Sequence, residues 1–144
     1  MDNSIRIATT SEFKAIQDID KAVVGDKMDR SDQIMQAIIE LRCYISLPNG
    51  EPVGFAIFQR ETFRGMDFLD LLVVKPVFQK QGFGSALIKH FKENATTELC
   101  WTSTNASNVP MISLLKKTAW IESDHVEELD LGDLEIFFFA HQEK

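Results

Sequence analysis

The stretch Phe68–Phe91 reads FLDLLVVKPVFQKQGFGSALIKHF, and the reading of the whole chain turns on it. It opens with an apolar run, Phe68 to Val74, broken only by Asp70. Leu and Val at that density predict a mostly buried strand. Pro76 stops it. Gln79-Lys80-Gln81-Gly82-Phe83-Gly84-Ser85 follows, with two glycines one residue apart. The apolar period then changes. Phe83, Leu87 and Phe91 lie four apart, with Ala86 and Ile88 beside them, as on one helix face. The stretch is strand, glycine loop, helix.

Such a junction has a physical use. The first turn of a helix carries N–H groups without an internal acceptor, and the helix dipole adds partial positive charge there. Glycine lets a phosphate approach the backbone with no Cβ in the way. The side chains agree. No Asp or Glu falls between Leu71 and Lys92, whereas Lys75, Lys80, Lys89, His90 and Lys92 do. In a chain of formal charge −7 this is a local positive island suited to a polyphosphate ligand. The alternative is a helix start that needs small residues for packing.

Working outward, 144 residues predict one domain, 1–144, and 44% hydrophobic residues with eleven Phe supply a core. The acidic balance argues against nucleic-acid binding, which needs a basic face. MDNSIRIATT lacks the basic and apolar segments of a signal peptide, and no apolar run approaches the roughly 18 residues of a membrane span. With two distant cysteines, Cys43 and Cys100, the expectation is a reduced, cytoplasmic protein with no membrane contact and no chemistry on either thiol.

Upstream, Ile5-Arg6-Ile7 reads as a short strand. Thr9 and Glu12 stand at capping-box spacing before a helix with Phe13, Ile16 and Ile19 inward. Asp26–Asp32 is a charged connector. Ser31 or Asp32 is expected to cap a second helix carrying Ile34, Ile38 and Leu41. Cys43–Leu47 and Val53–Gln59 form a hairpin about Pro48-Asn49-Gly50, and Phe63–Met66 turns into the central strand. Downstream, Glu98–Thr102 reads as a strand parallel to the central one after a crossover. Thr104–Asn108 is a polar loop. Pro110 fits the first turn of a helix capped by Ser107 or Asn108 and running to Ala119. Trp120–Leu131 and Leu134–Ala140 close the chain as a hairpin about Gly132-Asp133.

The order is therefore β-α-α-β-β-β-α-β-α-β-β. A dinucleotide-binding fold would place a third glycine where Leu87 stands. A P-loop would follow its glycines with G-K-[ST]. Val74-Lys75-Pro76 followed by Gln79-Lys80-Gln81-Gly82-Phe83-Gly84 instead resembles the signature of the GNAT N-acetyltransferase superfamily, a strand ending V-x-P, then [QR]-x-x-G-x-[GA], then a helix. Asn108, Leu114, Lys117 and Trp120 echo its second motif. The resemblance extends in element order over nearly the whole chain.

That resemblance implies an α/β (α+β) fold: a mixed, mostly antiparallel sheet of about seven strands with about four flanking helices. Acyl-CoA would bind at the strand–loop–helix junction. It implies acetyl-CoA as co-substrate, no metal, and transfer of the acetyl group to a primary amine, on a small molecule or a protein. Main-chain N–H groups of Lys80, Gln81, Gly82, Phe83, Gly84 and Ser85 would hold the pyrophosphate. Leu72 and Val74 would pair with the pantetheine arm as an added strand, Asn108 would meet it from the other side, and the N–H of Leu72 would polarise the thioester. The chain would act as a monomer or homodimer.

An amine must lose a proton to attack. Asp70, within the central strand and by alternation on the side of Leu72, is the expected base; Asp67, facing oppositely, is the second candidate. A structural role for Asp70 is the alternative. The chain departs from the family at Leu115, where many members carry a tyrosine that protonates the departing thiolate. It departs again at Lys80 and Ala119, where glycines are usual. Leu115 raises the alternative of a non-catalytic acyl-CoA-binding module. From Glu122 to Glu135 there are seven acids, which read as an attraction for a cationic acceptor or as a solvated strand edge.

Overall fold

The computed structural model describes residues 4–130 and 133–143, with side chains of 124–130 left aside. The elements in chain order are β1 (Ile5–Ile7), α1 (Phe13–Val24), α2 (Ser31–Ile39), β2 (Cys43–Ser46), β3 (Gly54–Phe63), β4 (Met66–Val74), α3 (Phe83–Glu93), β5 (Leu99–Asn105), α4 (Val109–Lys117), β6 (Ile121–Asp130) and β7 (Asp133–His141). They form one seven-stranded, mostly antiparallel sheet in the order β1-β2-β3-β4-β5-β7-β6. β4 and β5 run parallel, with Asp67, Phe68 and Leu69 opposite Cys100, Trp101 and Thr102. This is the expected architecture. Of the last turn, Gly132 lies outside the described residues. The strand β3 runs on to Phe63 and β5 to Asn105, so part of the expected polar loop is ladder.

By contacts the chain resolves into two compact units, Met1–Phe58 with Leu71–His90, and Gln59–Asp70 with Phe91–Lys144. In the first, the inward faces of two short helices meet one sheet face. Ile16 and Ile19 of α1 and Ile34, Ala37 and Ile38 of α2 pack on Cys43, Ile45, Phe55, Ile57 and Val73. The three-and-four spacing of these residues is what makes each helix one-sided. The capping box forms as read: Glu12 accepts from the Thr9 N–H at 2.7 Å. Arg6 also grips Glu12 and, with that N–H, brings its carboxyl down to about 2.

Two expectations fail here. Leu41 is not inward; α2 ends at Ile39, and Leu41 sits at φ 61° with most of its surface exposed. The start of α2 is held from outside the helix, by Asp29, which accepts from both the N–H and the hydroxyl of Ser31. Inside the connector, Arg30 reaches back to the buried Asp20 of α1. A segment that reads as solvated charge is therefore pinned by one of its own ion pairs.

The second unit contains the deepest charge. Asp67 has a fully buried side chain. It accepts from Thr96 N–H and Oγ1, each at 2.7 Å, and from Arg60 Nη1 and Glu61 N–H, each at 3.0 Å. Burial pushes its carboxyl up; the bonds from Thr96, Arg60 and Glu61 outweigh that and leave it below the ordinary aspartate value. Its acceptor capacity is spent on backbone and neighbours. Asp67 is a clamp between the end of β3 and the entry to β5, which removes it as a base.

β4 itself changes phase. Asp67 N–H donates to Thr97 Oγ1 and the Leu69 carbonyl accepts from Thr102 Oγ1, so this end of β4 turns its odd residues toward β5. Lys75 N–H donates to the Val53 carbonyl, and the Val73 carbonyl lies against Gly54, so the other end turns its odd residues toward β3. Residues an even number apart in a regular strand point the same way. Burial alternates from Met66 to Asp70, then Leu71 and Leu72 are both intermediate before Val73 is buried. One extra residue lies in that interval, a β-bulge.

Replacing Asp67 with Ala should cost about 3–5 kcal/mol in denaturant unfolding, because buried donors lose their acceptor. The depressed carboxyl also sets a sign. Its contribution is complete above the unfolded value near about 4 and is lost as pH falls through the lower folded value. Acid titration of stability should accordingly be shallower in Asp67→Asn than in the parent.

Candidate functional site

The site lies in the first unit, where β4 hands over to α3. After Val74 the chain makes a single 3-10 turn, Pro76–Phe78, which Pro76 initiates. Two glutamines then brace the loop from within. Gln79 Nε2 donates to the Val74 carbonyl at 3.0 Å, and Gln81 Nε2 to the Val77 carbonyl at 3.1 Å. Lys80 and Gly82 both take left-handed backbone, at φ 63° and 92°. Successive reversals of this kind turn neighbouring N–H groups toward one concavity.

The helix gives the loop its floor. Ala86 N–H donates to the Gly82 carbonyl at 3.0 Å, so α3 starts at Phe83. The N–H groups of Phe83, Gly84 and Ser85 belong to the first turn, which has no intrahelical acceptor for them. A Cβ at Gly82 would meet no atom within 4 Å. Phe83, Leu87, Ile88 and Phe91 are buried and hold the helix down.

Gly54, which the sequence reading passed over, matters as much as the loop glycines. A Cβ there would lie 2.8 Å from the Val73 carbonyl and 3.3 and 3.4 Å from side-chain atoms of Val74 and Leu87. Only glycine lets β3, the end of β4 and α3 meet at this spacing. Its sole sequence signal was a small residue inside an apolar strand.

The positive island is smaller than it reads. Lys92 is buried, donates to the Thr118 carbonyl at 2.9 Å and pairs with Glu143 at 3.2 Å. The ring of His90 stands edge-on to Tyr44, with centroids 4.5 Å apart. Lys75, Lys80 and Lys89 remain, the last two exposed. Leu72 is half-buried, and its main-chain groups, one residue out of step with Val73, turn away from β3. The Val74 carbonyl is already engaged by Gln79.

The remaining candidates belong to the second unit. Asp70 is half-buried and accepts from Gln59 Nε2 at 2.8 Å. Asn108 is exposed and caps α4 through Met111 N–H at 3.4 Å; Ser107 instead binds Asp133. Leu115 is fully buried. Cys43 and Cys100 are buried free thiols, each pushed by desolvation up to about 12, which leaves them inert at neutral pH. Among the described residues no helix is long and apolar enough to cross a membrane.

The loop, the helix start and the strand order together define the comparison. The sequence profile of the acetyltransferase (GNAT) family matches residues 13–120, and the chain belongs to that family. A GNAT-family acetyltransferase from Bacillus cereus is 29% identical and superposes with a TM-score of 0.92 over 100% of both chains. The ribosomal-protein-S18-alanine N-acetyltransferase of Escherichia coli shares the fold at 21% identity and TM-score 0.79, over 99% of this chain and 96% of its own. A Salmonella typhimurium protein solved with its cofactor acetyl-CoA does so at 16% identity and TM-score 0.74, over 98% and 94%. No curated protein matches the chain.

Two positions where the family usually has glycine keep the glycine conformation without the residue: Lys80 at φ 63° and Ala119 at φ 68°. A side chain in that region costs roughly 1–2 kcal/mol. Lys80→Gly and Ala119→Gly should each stabilise the protein by about 1 kcal/mol or somewhat less, since glycine also loosens the unfolded chain. Thermal unfolding of the two variants measures this.

Proposed function

We propose that the chain is an acyl-CoA-dependent N-acetyltransferase that moves the acetyl group of acetyl-CoA directly to a primary amine, acting as one domain, in the cytoplasm, without a metal. The observation that carries this is the loop before α3, with reversed backbone at Lys80 and Gly82 and no acid in the first turn of the helix. The resident groups fit a diphosphate. N–H groups from Lys80 to Ser85 supply donors, the helix start supplies partial positive charge, and Lys75, Lys80 and Lys89 add diffuse attraction.

The chemistry follows from the thioester. The amine nitrogen attacks the carbonyl carbon; the C–N bond forms, the C–S bond breaks, and the thiolate leaves. Leu72 N–H is the donor assigned to the carbonyl oxygen as charge builds on it. Asp70, steadied by Gln59, takes the amine proton. Leu115 has no proton to give and is fully buried, so the thiolate, with a thiol pKa near about 8.5, draws its proton from water. Asn108 is assigned to the far side of the arm, and Leu72 and Val74 to its near side.

The burial of Leu115 also supports a second reading, a module that binds acyl-CoA without turnover. Thiol release from acetyl-CoA over a panel of amines separates the two, since only the first gives release above the uncatalysed rate. Gly82→Asp should abolish acetyl-CoA binding in calorimetry by setting a carboxylate against the diphosphate. Asp70→Asn should keep binding, lower kcat by roughly 10²-fold or more and flatten the rise of rate with pH. An unaltered pH profile in that variant would remove Asp70 as the base.

A further inference from the structure

One of the seven acids from Glu122 to Glu135 is engaged by a segment far back in the chain. Asp133, the first residue of β7, accepts from Ser107 twice. Its Oδ1 takes the Ser107 N–H at 3.1 Å, and its Oδ2 takes the Ser107 hydroxyl. These two bonds end a series within the second unit. Asn105 stands opposite Glu135 in the β5–β7 ladder, and the Ala106 N–H donates to the Leu134 carbonyl at 2.8 Å. Ser107 to Asp133 is the next step. The segment between β5 and α4 thus leaves the sheet one residue at a time along the start of β7. Backbone alone makes the first two steps. The third is made by a side chain, so it depends on which residue stands at 133.

The residue after Ser107 is Asn108, which is exposed. Its N–H donates to the Asn105 carbonyl at 2.9 Å, and its Oδ1 accepts from the Met111 N–H at 3.4 Å, a long cap. The Val109 N–H turns back to the Ser107 carbonyl at 3.0 Å, and Pro110 has no N–H to give. The first turn of α4 therefore holds Asn108 loosely, and the firm attachment is one residue upstream, on Asp133.

We propose that Asp133 is a positioning residue for acetyl-CoA: by holding Ser107 it sets where Asn108 meets the pantetheine arm. This rests on the acetyltransferase reading, which assigns Asn108 to that arm, and adds a residue to it. Ordering a polar loop costs conformational entropy, and two bonds to a carboxylate select one arrangement in advance of the ligand. Apparent affinity scales with the fraction of molecules already in the competent arrangement. Loss of Asp133 therefore shows in binding and not in the chemical step. The sign of the effect is diagnostic. Acetyl-CoA is an anion, and removing an acid from a chain of formal charge −7 favours it on charge alone. Loss of positioning acts in the opposite direction.

Calorimetric titration of the whole chain with acetyl-CoA tests this. Asp133→Ala should bind about tenfold more weakly than the parent, and KM for acetyl-CoA should rise by a similar factor with kcat nearly unchanged. Asp133→Asn keeps an acceptor oxygen for Ser107 and should recover most of the loss. Ser107→Ala, which removes one of the two donors, should fall between parent and Asp133→Ala. Glu135→Gln removes the same charge two residues away and should bind as the parent does or more tightly. In an Asn108→Ala background, Asp133→Ala should weaken binding no further. Parent affinity in Asp133→Ala would overturn the inference. So would equal weakening by Glu135→Gln, or a further loss on top of Asn108→Ala. Thermal unfolding identifies any variant that fails to fold, and Ser107→Ala then makes the comparison from the other partner. A parent that binds no acetyl-CoA would remove the acetyltransferase reading, and this inference with it; a parent that binds while Asp133→Ala is unaltered removes the inference alone.

Discussion

A strand's N–H and C=O groups at any residue point to one neighbour, never to both. β4 must serve β5 at Leu69 and β3 at Val73, and it does so by slipping one residue between them. Much else follows from that slip. Asp67 and Leu69 stay on the buried face of one unit, and Val73 joins the core that α1 and α2 cover in the other. The main-chain groups of Leu72 turn away from β3.

Parts of the backbone cost stability locally. Lys80, in the loop after β4, and Ala119, after α4, occupy left-handed backbone that glycine would take freely. Gly54 spends a side chain to let Val73, Val74 and Leu87 close together. Against these stand the capping box at Thr9 and Glu12, the Arg30–Asp20 pair, and Asp67 with its four donors.

Charge is used in two distinct ways. Asp20, Asp67 and Lys92 are buried and spent on the fold; their partners are Arg30, the end of β3 with Thr96, and Glu143 with the Thr118 carbonyl. Lys80 and Lys89 stay in water, where they act on a ligand only as a field. A residue count cannot separate these groups, which is why Lys92 read as part of a phosphate island and Asp67 as a spare base.

The strand–loop–helix unit was legible in the chain because its signals are local. Period changes from strand to helix at Phe83, Pro76 stops a strand, and Gly82 permits a reversed φ whatever surrounds it. Element order and the Thr9–Glu12 cap were legible for the same reason, and the family resemblance rested on those residues. Tertiary structure alone decided the rest. The slip in β4 depends on two neighbours that compete for one strand; the need for glycine at position 54 depends on a carbonyl nineteen residues away; and Phe68, Trp101 and Phe139 stand side by side only because strand register puts them there. Each is a relation between segments distant in sequence, and periodicity within a segment carries no record of it.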